Sequence, residues 1–335
     1  MVFAAVLVLA CGLLAAAVWG AAGTVRRGLI RFRVFDLPNQ RSSHATPTPR
    51  GGGLAIVPLL LLAWAGASLL SGPQAGDIWM LFAGAAVLAA ISVADDLKGL
   101  PMVLRLLVQF GAVSLGLLTL QDSGPVFQGW LPPVLDRLLA ALAWLWFINL
   151  FNFMDGIDGL AGVEAISIGA GLGLAAWIAG LPGLTIALPL LLGAAVGGFL
   201  PWNWAPAKIF LGEVGSVPLG YLLGWLLLLF AAEGLWVPAL VLPLYFLADS
   251  SLTLVRRALR HPRPWESHRE HAYQRAVQGG WSHAQVVGRV VLCNLVLVAM
   301  AWWAVDGHPW RALLGGFLAV ALLLAVLEFK ARRAR

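Results

Sequence analysis

A dense group of polar side chains lies at residues 149–160, at the end of a long apolar run. Asn149, Asn152 and Asp155 are three residues apart, so on a helix they share one face. Asp158 follows within the next turn of chain. Carboxylate and amide oxygens are hard ligands suited to Mg²⁺. Because polar side chains at membrane depth are costly, the segment is predicted to be functional, the simpler alternative being a helix end that touches water.

A second acidic group, Asp95-Asp96, closes another apolar run and is followed by Lys98. Adjacent residues on a helix point about 100° apart, so the two carboxylates are expected to have different roles. One would take a proton or attack, and the other would orient it or lie near a metal. The alternative is a helix-end cap paired with Lys98, because the Asp-Asp dipeptide alone is a weak signal.

A third polar segment, residues 201–215, contains Asn203, Phe210 and Glu213. Phe210 is a candidate for stacking on a base, Asn203 for hydrogen bonding to it, and Glu213 for binding a cation. Against this, an aromatic residue at a membrane edge is more often an interfacial anchor.

Basic side chains concentrate in residues 255–283, where His268, Arg269 and His271 are a pattern that suits a pyrophosphate. Positive-inside topology alone explains the arginines but not two histidines among charges. Zinc is disfavoured because this segment has no cysteine.

Earlier in the chain, His44 and Arg50 precede three glycines. The backbone N–H groups of these glycines are predicted to approach a phosphate or sugar, the alternative being a tether for lipid headgroups.

The composition excludes a soluble protein. Of 335 residues, 60% are hydrophobic and 11% are charged, whereas soluble domains average about 25% charged residues. The net charge of +6 is weak evidence for nucleic acid, since no basic patch is interleaved with aromatics on a soluble module. Cys11 and Cys293 both lie in apolar runs, which argues against a disulfide framework and a cysteine zinc site. The fold class is therefore predicted to be an all-α polytopic integral membrane protein with a single catalytic domain, residues 1–335.

We count eleven apolar runs long enough to span a bilayer. They lie near residues 2–23, 54–71, 78–94, 104–121, 137–154, 160–180, 184–200, 216–232, 235–254, 284–305 and 309–328. No basic residue precedes the first run and Arg26 follows it, so we expect a retained helix with its N-terminus outside.

With the N-terminus outside, the connections between the eleven spans alternate between the inner and the outer side. All but two of the 22 Lys and Arg residues then lie on the inner side, the exceptions being Arg137 and Arg311. The N-terminus is then periplasmic and the C-terminus cytoplasmic. The polar loops converge on the cytoplasmic face, at residues 24–53, 95–103, 154–159, 201–215 and 255–283. We therefore expect a cytoplasmic substrate at the inner leaflet.

Taken in their order along the chain, from Asp36 to Arg275, the motifs resemble those of the polyprenyl-phosphate N-acetylhexosamine-1-phosphate transferase family, and particularly of its O-antigen- and common-antigen-initiating branch. The resemblance implies transfer of a sugar 1-phosphate from a UDP-N-acetylhexosamine to undecaprenyl phosphate at the bacterial inner membrane, with release of UMP. It leaves the sugar and the oligomeric state open, a homodimer included.

The resemblance also implies roles for single residues. Asp95 would be the base for the lipid phosphate, with Asp96 beside it, and Asn152 and Glu213 would hold Mg²⁺, with Mn²⁺ as the alternative metal. The substrate-binding residues would be Asp155, Asp158, Asn203, Phe210, His268, Arg269, His271, Asn149, Lys98, His44 and Arg50. The family usually has Asp where this chain has Glu213; the longer carboxylate can still bind Mg²⁺, with the metal displaced by about one methylene.

Three alternatives remain at the level of sequence. Within the family, the chain would make lipid I from UDP-MurNAc-pentapeptide. A lipid or solute transporter would carry its polar residues near the bilayer midplane, whereas these carboxylates lie at helix ends. An inactive binding relative is supported by Glu213 alone.

Overall fold

The computed structural model describes residues 2–38, 46–71, 78–260 and 268–333. These residues form thirteen helices and a two-stranded sheet. In chain order they are α1 (Val2–Arg31), β1 (Phe35–Asp36), β2 (Thr48–Pro49), α2 (Gly53–Leu70), α3 (Ile78–Lys98), α4 (Met102–Leu118), α5 (Pro133–Met154), α6 (Leu160–Ile178), α7 (Gly183–Asn203), α8 (Glu213–Ala232), α9 (Trp236–Val241), α10 (Leu244–Ala258), α11 (Ala272–Gln278), α12 (His283–Val305) and α13 (Pro309–Arg333).

Nine of the described helices are long and apolar enough to cross a membrane, namely α1, α2, α3, α5, α6, α7, α8, α12 and α13. The protein is therefore a helical, polytopic membrane protein. Helix α4 is apolar but has only 17 residues. Eleven spans would require α4 and the pair α9–α10 to cross as well, and that number stays a prediction.

The predicted span 235–254 consists of two helices, α9 and α10, and not of one continuous helix. Pro243 lies at the break and lacks the N–H that would continue the helix. Prolines inside α2, α7 and α8 do not end those helices, so a proline is not sufficient.

Helix α8 is the centre of the bundle and is almost entirely buried. It packs against α2, α3 and α5, and glycines bring the backbones together. A Cβ at Gly220 would lie 3.2 Å from the Cα of Ile148 in α5, and one at Gly53 would lie 2.2 Å from the backbone nitrogen of Gly215. The first turn of α8 therefore lies against the start of α2.

The predicted polar loops contain regular secondary structure. Strands β1 and β2 pair antiparallel, with Phe35 opposite Pro49, inside the predicted loop 24–53. The predicted loop 95–103 begins within α3, because that helix continues to Lys98. The predicted loop 255–283 holds the end of α10 and all of α11. The segments predicted to connect the spans thus contain secondary structure of their own.

Candidate active site

Asp95 lies in the last turn of α3 and contacts two donors. Its Oδ1 accepts a hydrogen bond of 2.5 Å from the Leu100 backbone N–H, and its Oδ2 lies 2.8 Å from Nη1 of Arg105 in α4. The turn after α3 thus folds back onto the carboxylate, which holds Asp95 at the junction of α3 and α4. Lys98 is exposed at the end of α3, so arginines and not Lys98 pair with the two aspartates.

Asp96 points to different partners, as adjacent residues on a helix must. Its Oδ1 lies 2.9 Å from Nη2 of Arg50, and it accepts hydrogen bonds from the backbone N–H groups of Glu213 (3.4 Å) and Val214 (3.3 Å). The first N–H groups of a helix have no partner within the helix and favour a negative charge. Asp96 therefore caps the start of α8 from another helix.

Glu213 completes an alternating group of charges. Its carboxylate lies 3.3 Å from Arg105 and 3.8 Å from Arg50. Three carboxylates, those of Asp95, Asp96 and Glu213, thus face two guanidinium groups. This partly buried group has an excess of negative charge, which favours a bound cation.

Asn152, in the last turn of α5, meets the first turn of α8. Its Oδ1 accepts a hydrogen bond of 2.6 Å from the Ser216 hydroxyl. One turn earlier, Asn149 donates to Gln109 Oε1 at 2.7 Å and to the Leu145 carbonyl at 2.8 Å. The shared helix face therefore brings both amides to one region.

A cavity of about 330 Å³ joins these residues. Its polar lining includes Asp95, Arg105, Asn149, Asn152 and Glu213. Its apolar lining comes from α3, α4, α5, α8 and α10, through Leu88, Leu106, Leu142, Trp146, Val217 and Leu254 among others. An apolar pocket with a charged end suits an amphiphile with an anionic head.

The donor set fits a hard cation. Asn152 and Glu213 both line the same cavity, and Mg²⁺ typically takes one or two protein carboxylates while water and substrate phosphate supply its other ligands. Within the described residues no cluster of three or more His, Cys, Asp or Glu side chains is placed to hold a metal. The site therefore suits an ion shared with a substrate better than an all-protein cage.

The loop between α5 and α6 carries Asp155 and Asp158. Asp158 Oδ2 accepts a hydrogen bond of 3.0 Å from the Ala207 backbone N–H and lies 3.3 Å from Nδ1 of His283. Asn203 is buried, accepts from the Gly159 N–H at 3.0 Å and donates to the Ile209 carbonyl at 3.1 Å. The oxygen and the nitrogen of the Asn203 side-chain amide are thus both hydrogen-bonded to the backbone, so the residue orients this loop.

Burial raises the pKa of Asp155 to about 8; the Arg50 charge opposes this, and the charges of Asp158 and Asp96 add to it. The unfolded carboxyl has a pKa of about 4. Because the folded state binds the proton more tightly, the free energy of unfolding that this carboxyl contributes falls as pH rises from about 4 to about 8. We therefore expect D155N to gain thermal stability relative to wild type across that range.

This prediction is checked by the unfolding temperature of both proteins in one detergent, from about pH 5 to about pH 9. The exposed Asp122, replaced by asparagine, is the matched control. A difference between D155N and wild type that is constant with pH would contradict the prediction.

Phe210 acts on the site through its backbone. Its N–H donates to the Pro49 carbonyl at 2.8 Å, and its carbonyl accepts from Gly51 (3.1 Å) and Gly52 (2.8 Å). This short parallel pairing places Arg50 beside Asp96. The ring of Phe210 is half-buried. The predicted residue His44 of the same segment lies outside the described residues.

The second group of predicted phosphate ligands lies at the start of α11. His271 is buried there, and Asp249 of α10 accepts hydrogen bonds from the backbone N–H groups of Ala272 (2.9 Å) and Tyr273 (3.4 Å). The Tyr273 hydroxyl donates to the Phe153 carbonyl at 3.0 Å. Helix α11 is thereby tied to the end of α5.

His268 and His271 have ring centroids 4.9 Å apart. Burial lowers the pKa of His268 to about 4, and the charges of His271 and Arg257 act in the same direction. Arg269 lies between the two histidines and is half-buried. At neutral pH, Arg269 is then a more reliable positive charge for a phosphate than His268.

Comparison with known proteins relates most of this chain to a described family. Residues 78–231 match the family profile described as glycosyl transferase family 4. A decaprenyl-phosphate N-acetylglucosaminephosphotransferase of Mycolicibacterium smegmatis is 31% identical over an alignment 344 positions long, which covers 92% of this chain and 84% of that protein. The chain belongs to the polyprenyl-phosphate N-acetylhexosamine-1-phosphate transferase family.

Other members of the transferase family align over most of their length. A probable undecaprenyl-phosphate N-acetylglucosaminyl 1-phosphate transferase of Bacillus subtilis is 27% identical, covering 91% of this chain and 86% of that protein. A phospho-N-acetylmuramoyl-pentapeptide-transferase of Synechococcus elongatus is 31% identical, covering 76% and 74%. The names of the first two relatives specify N-acetylglucosamine and the name of the third specifies N-acetylmuramoyl-pentapeptide, so the similar proteins do not all carry the same sugar in their names.

Sequence reasoning missed two residues of this transferase site. Arg105 was counted only for topology, although a charge within an apolar helix is itself a signal of function. His283 carried no signal beyond its place directly after the helix cap Ser282. Both are found through their partners, Asp95 and Asp158.

Proposed function

We propose that this chain transfers an N-acetylhexosamine 1-phosphate from a UDP-sugar to undecaprenyl phosphate, releasing UMP and forming undecaprenyl-pyrophosphoryl-sugar. The observation that carries the proposal is the cavity with apolar walls and Asp95, Asn152 and Glu213 at its charged end. A lipid phosphate fits such a cavity with its chain against the apolar residues. The names of the relatives support a polyprenyl phosphate acceptor.

The acceptor phosphate would enter the cavity beside Asp95. Its oxygen attacks the sugar-bearing phosphorus of the UDP-sugar; a phosphorus–oxygen bond forms there, and the bond to the UMP phosphate breaks. Asp95 takes a proton from, or orients, the attacking phosphate, and Arg105 holds the carboxylate at 2.8 Å.

Arg50, Asn152 and Glu213 would act on the diphosphate of the UDP-sugar. Mg²⁺, held by Asn152 and Glu213, would neutralise the diphosphate and polarise the attacked phosphorus. Arg50, beside Asp96, would face the charge that develops on the leaving phosphate. Asp155 and Asp158 would bind the nucleoside, and Arg269 and His271 would bind phosphate or sugar.

The topology proposed with this function has eleven spans, a periplasmic N-terminus and a site that faces the cytoplasm of a bacterial inner membrane. The start of α8 and the ends of α3 and α5 meet at one end of the bundle, which supports a single face for the chemistry. The product would be the lipid-linked first sugar of O-antigen or another cell-envelope glycan.

The name of the Synechococcus relative favours a second candidate within the same chemistry, synthesis of lipid I from UDP-MurNAc-pentapeptide. Purified protein, undecaprenyl phosphate and a panel of labelled UDP-sugars, with and without Mg²⁺, separates the two. We expect Mg²⁺-dependent label in the organic phase with one UDP-N-acetylhexosamine, matched by UMP release. Label from UDP-MurNAc-pentapeptide alone would select the second candidate. Failure of every donor with protein that still binds UDP would favour an inactive relative.

Replacing Glu213 by aspartate is expected to retain activity. The shorter side chain still presents a carboxylate to the cavity, although it withdraws by one methylene from Arg105 and Arg50. We expect turnover within about tenfold of wild type and a changed Mg²⁺ concentration for half-maximal rate. A folded but inactive E213D protein would show that the site is built around the longer side chain.

A further inference from the structure

Asp158 is held where three segments meet. Ala207, from the segment between α7 and α8, donates its backbone N–H to Oδ2 at 3.0 Å. His283, the first residue of α12, places Nδ1 3.3 Å from that same oxygen and 3.3 Å from the Asp158 backbone nitrogen. The Asp158 side chain is mostly buried, so these contacts are shielded from water.

The start of α12 is restrained by side-chain contacts, and these fix the position of His283. Ser282 accepts a hydrogen bond from the Gln285 N–H at 3.2 Å, and the Gln285 side chain accepts from the Ser282 N–H at 3.0 Å. This reciprocal capping box determines where the helix begins. Trp281 directly precedes Ser282, and its ring centroid lies 3.7 Å from the Arg289 guanidinium of α12. The turn into α12 is therefore restrained on both sides of His283.

We propose that His283 is a positioning residue that holds Asp158, and with it the loop 155–159, in the orientation that binds the nucleotide end of the UDP-sugar. The inference rests on the proposed function. One ring nitrogen lies at equal distance from a donor and an acceptor of Asp158. A neutral Nδ1 accepts from the backbone N–H, and a protonated Nδ1 donates to the carboxylate. Asp158 is tied to α12 in either state.

Two other contacts hold the loop from different sides. A Cβ at Gly156 would lie 2.1 Å from the Tyr273 hydroxyl, and the Gly159 N–H is held by Asn203. His283 thus acts at the middle of the loop, between two fixed glycines.

The test compares H283A, H283N and the control H308N in the full-length protein. Asparagine keeps an amide near the position of Nδ1 and can donate or accept there. His308 precedes α13 and stacks on Trp303, away from the loop. For H283A we expect the KM for the UDP-sugar to rise about tenfold while kcat changes less than about threefold. The KM for undecaprenyl phosphate is expected to stay unchanged, H283N to recover most of the loss, and H308N to match wild type.

A fall in kcat with an unchanged KM for the UDP-sugar would overturn the positioning role, and so would an H283A protein with wild-type constants. Hydrogen exchange of the peptide that covers residues 155–160 gives a readout independent of catalysis, with faster exchange expected in H283A only. If wild type transfers no sugar, the proposed function fails. Exchange unchanged by H283A would then overturn the positioning role separately.

Discussion

Replacing Asp95 by asparagine is expected to reduce transfer by about 10²–10⁴-fold, which is the usual contribution of a positioned acid–base group. Asparagine has the same shape but cannot take a proton or carry the charge. Asp95 lines the cavity directly and lies 2.8 Å from Arg105, so the substitution acts where the lipid phosphate would bind. The measurement is turnover of labelled UDP-sugar with undecaprenyl phosphate as acceptor.

The folded state must be checked in the same experiment. Asparagine keeps one acceptor oxygen for either the Leu100 N–H or Arg105, so about 1–3 kcal/mol of stability is at stake. The unfolding temperature and binding of UDP show whether the D95N protein remains assembled. Asp122→Asn, at an exposed position, is the control. Near-normal turnover in folded D95N would remove Asp95 from its catalytic role.

Replacing Gly53 by alanine is expected to have the largest effect on assembly. The added Cβ would lie 2.2 Å from the nitrogen and 2.3 Å from the Cα of Gly215, and 2.4 Å from the carbonyl carbon of Val214. These are backbone atoms in the first turn of α8, so no side chain can move aside. We expect a loss of about 3 kcal/mol from this overpacking. Transfer should also fall, because α8 carries Glu213 at its start.

Gly66 offers a matched control within the same helix α2. A Cβ at Gly66 would meet no atom within 4 Å, so G66A is expected to keep both the unfolding temperature and the activity of wild type. The two variants differ only in whether the glycine touches α8. Equal stability of G53A and G66A would show that the close approach of α2 and α8 is not required.

The sequence predicted the helical membrane fold well, because long apolar runs and the few charges between them are local properties. It could not predict which proline ends a helix. Pro218 lies inside α8, whereas Pro243 separates α9 from α10. Both prolines are followed by leucine in apolar sequence, so the local sequence does not distinguish them.

Site residues were predictable in type but less so in partner. The spacing of Asn149 and Asn152 indicates one helix face, and both line the same cavity. In contrast, Asn203 was expected to contact a base, and its amide is engaged with the backbone of Gly159 and Ile209. Arg105 emerged only from its distance to Asp95. Periodicity shows where a side chain can point, but not which distant segment it meets.

The pairing of charges around α3 has a consequence for how the chain is made. Arg50 precedes α3 and Arg105 follows it closely, and the two guanidinium groups neutralise Asp96 and Asp95. Both pairs can therefore form while the ribosome is still synthesising the later helices. The nascent segment α2–α4 can enter the bilayer with its two carboxylates already compensated. Glu213 emerges much later and brings the surplus negative charge, so we expect the site to acquire its attraction for a cation only after α8 has been inserted.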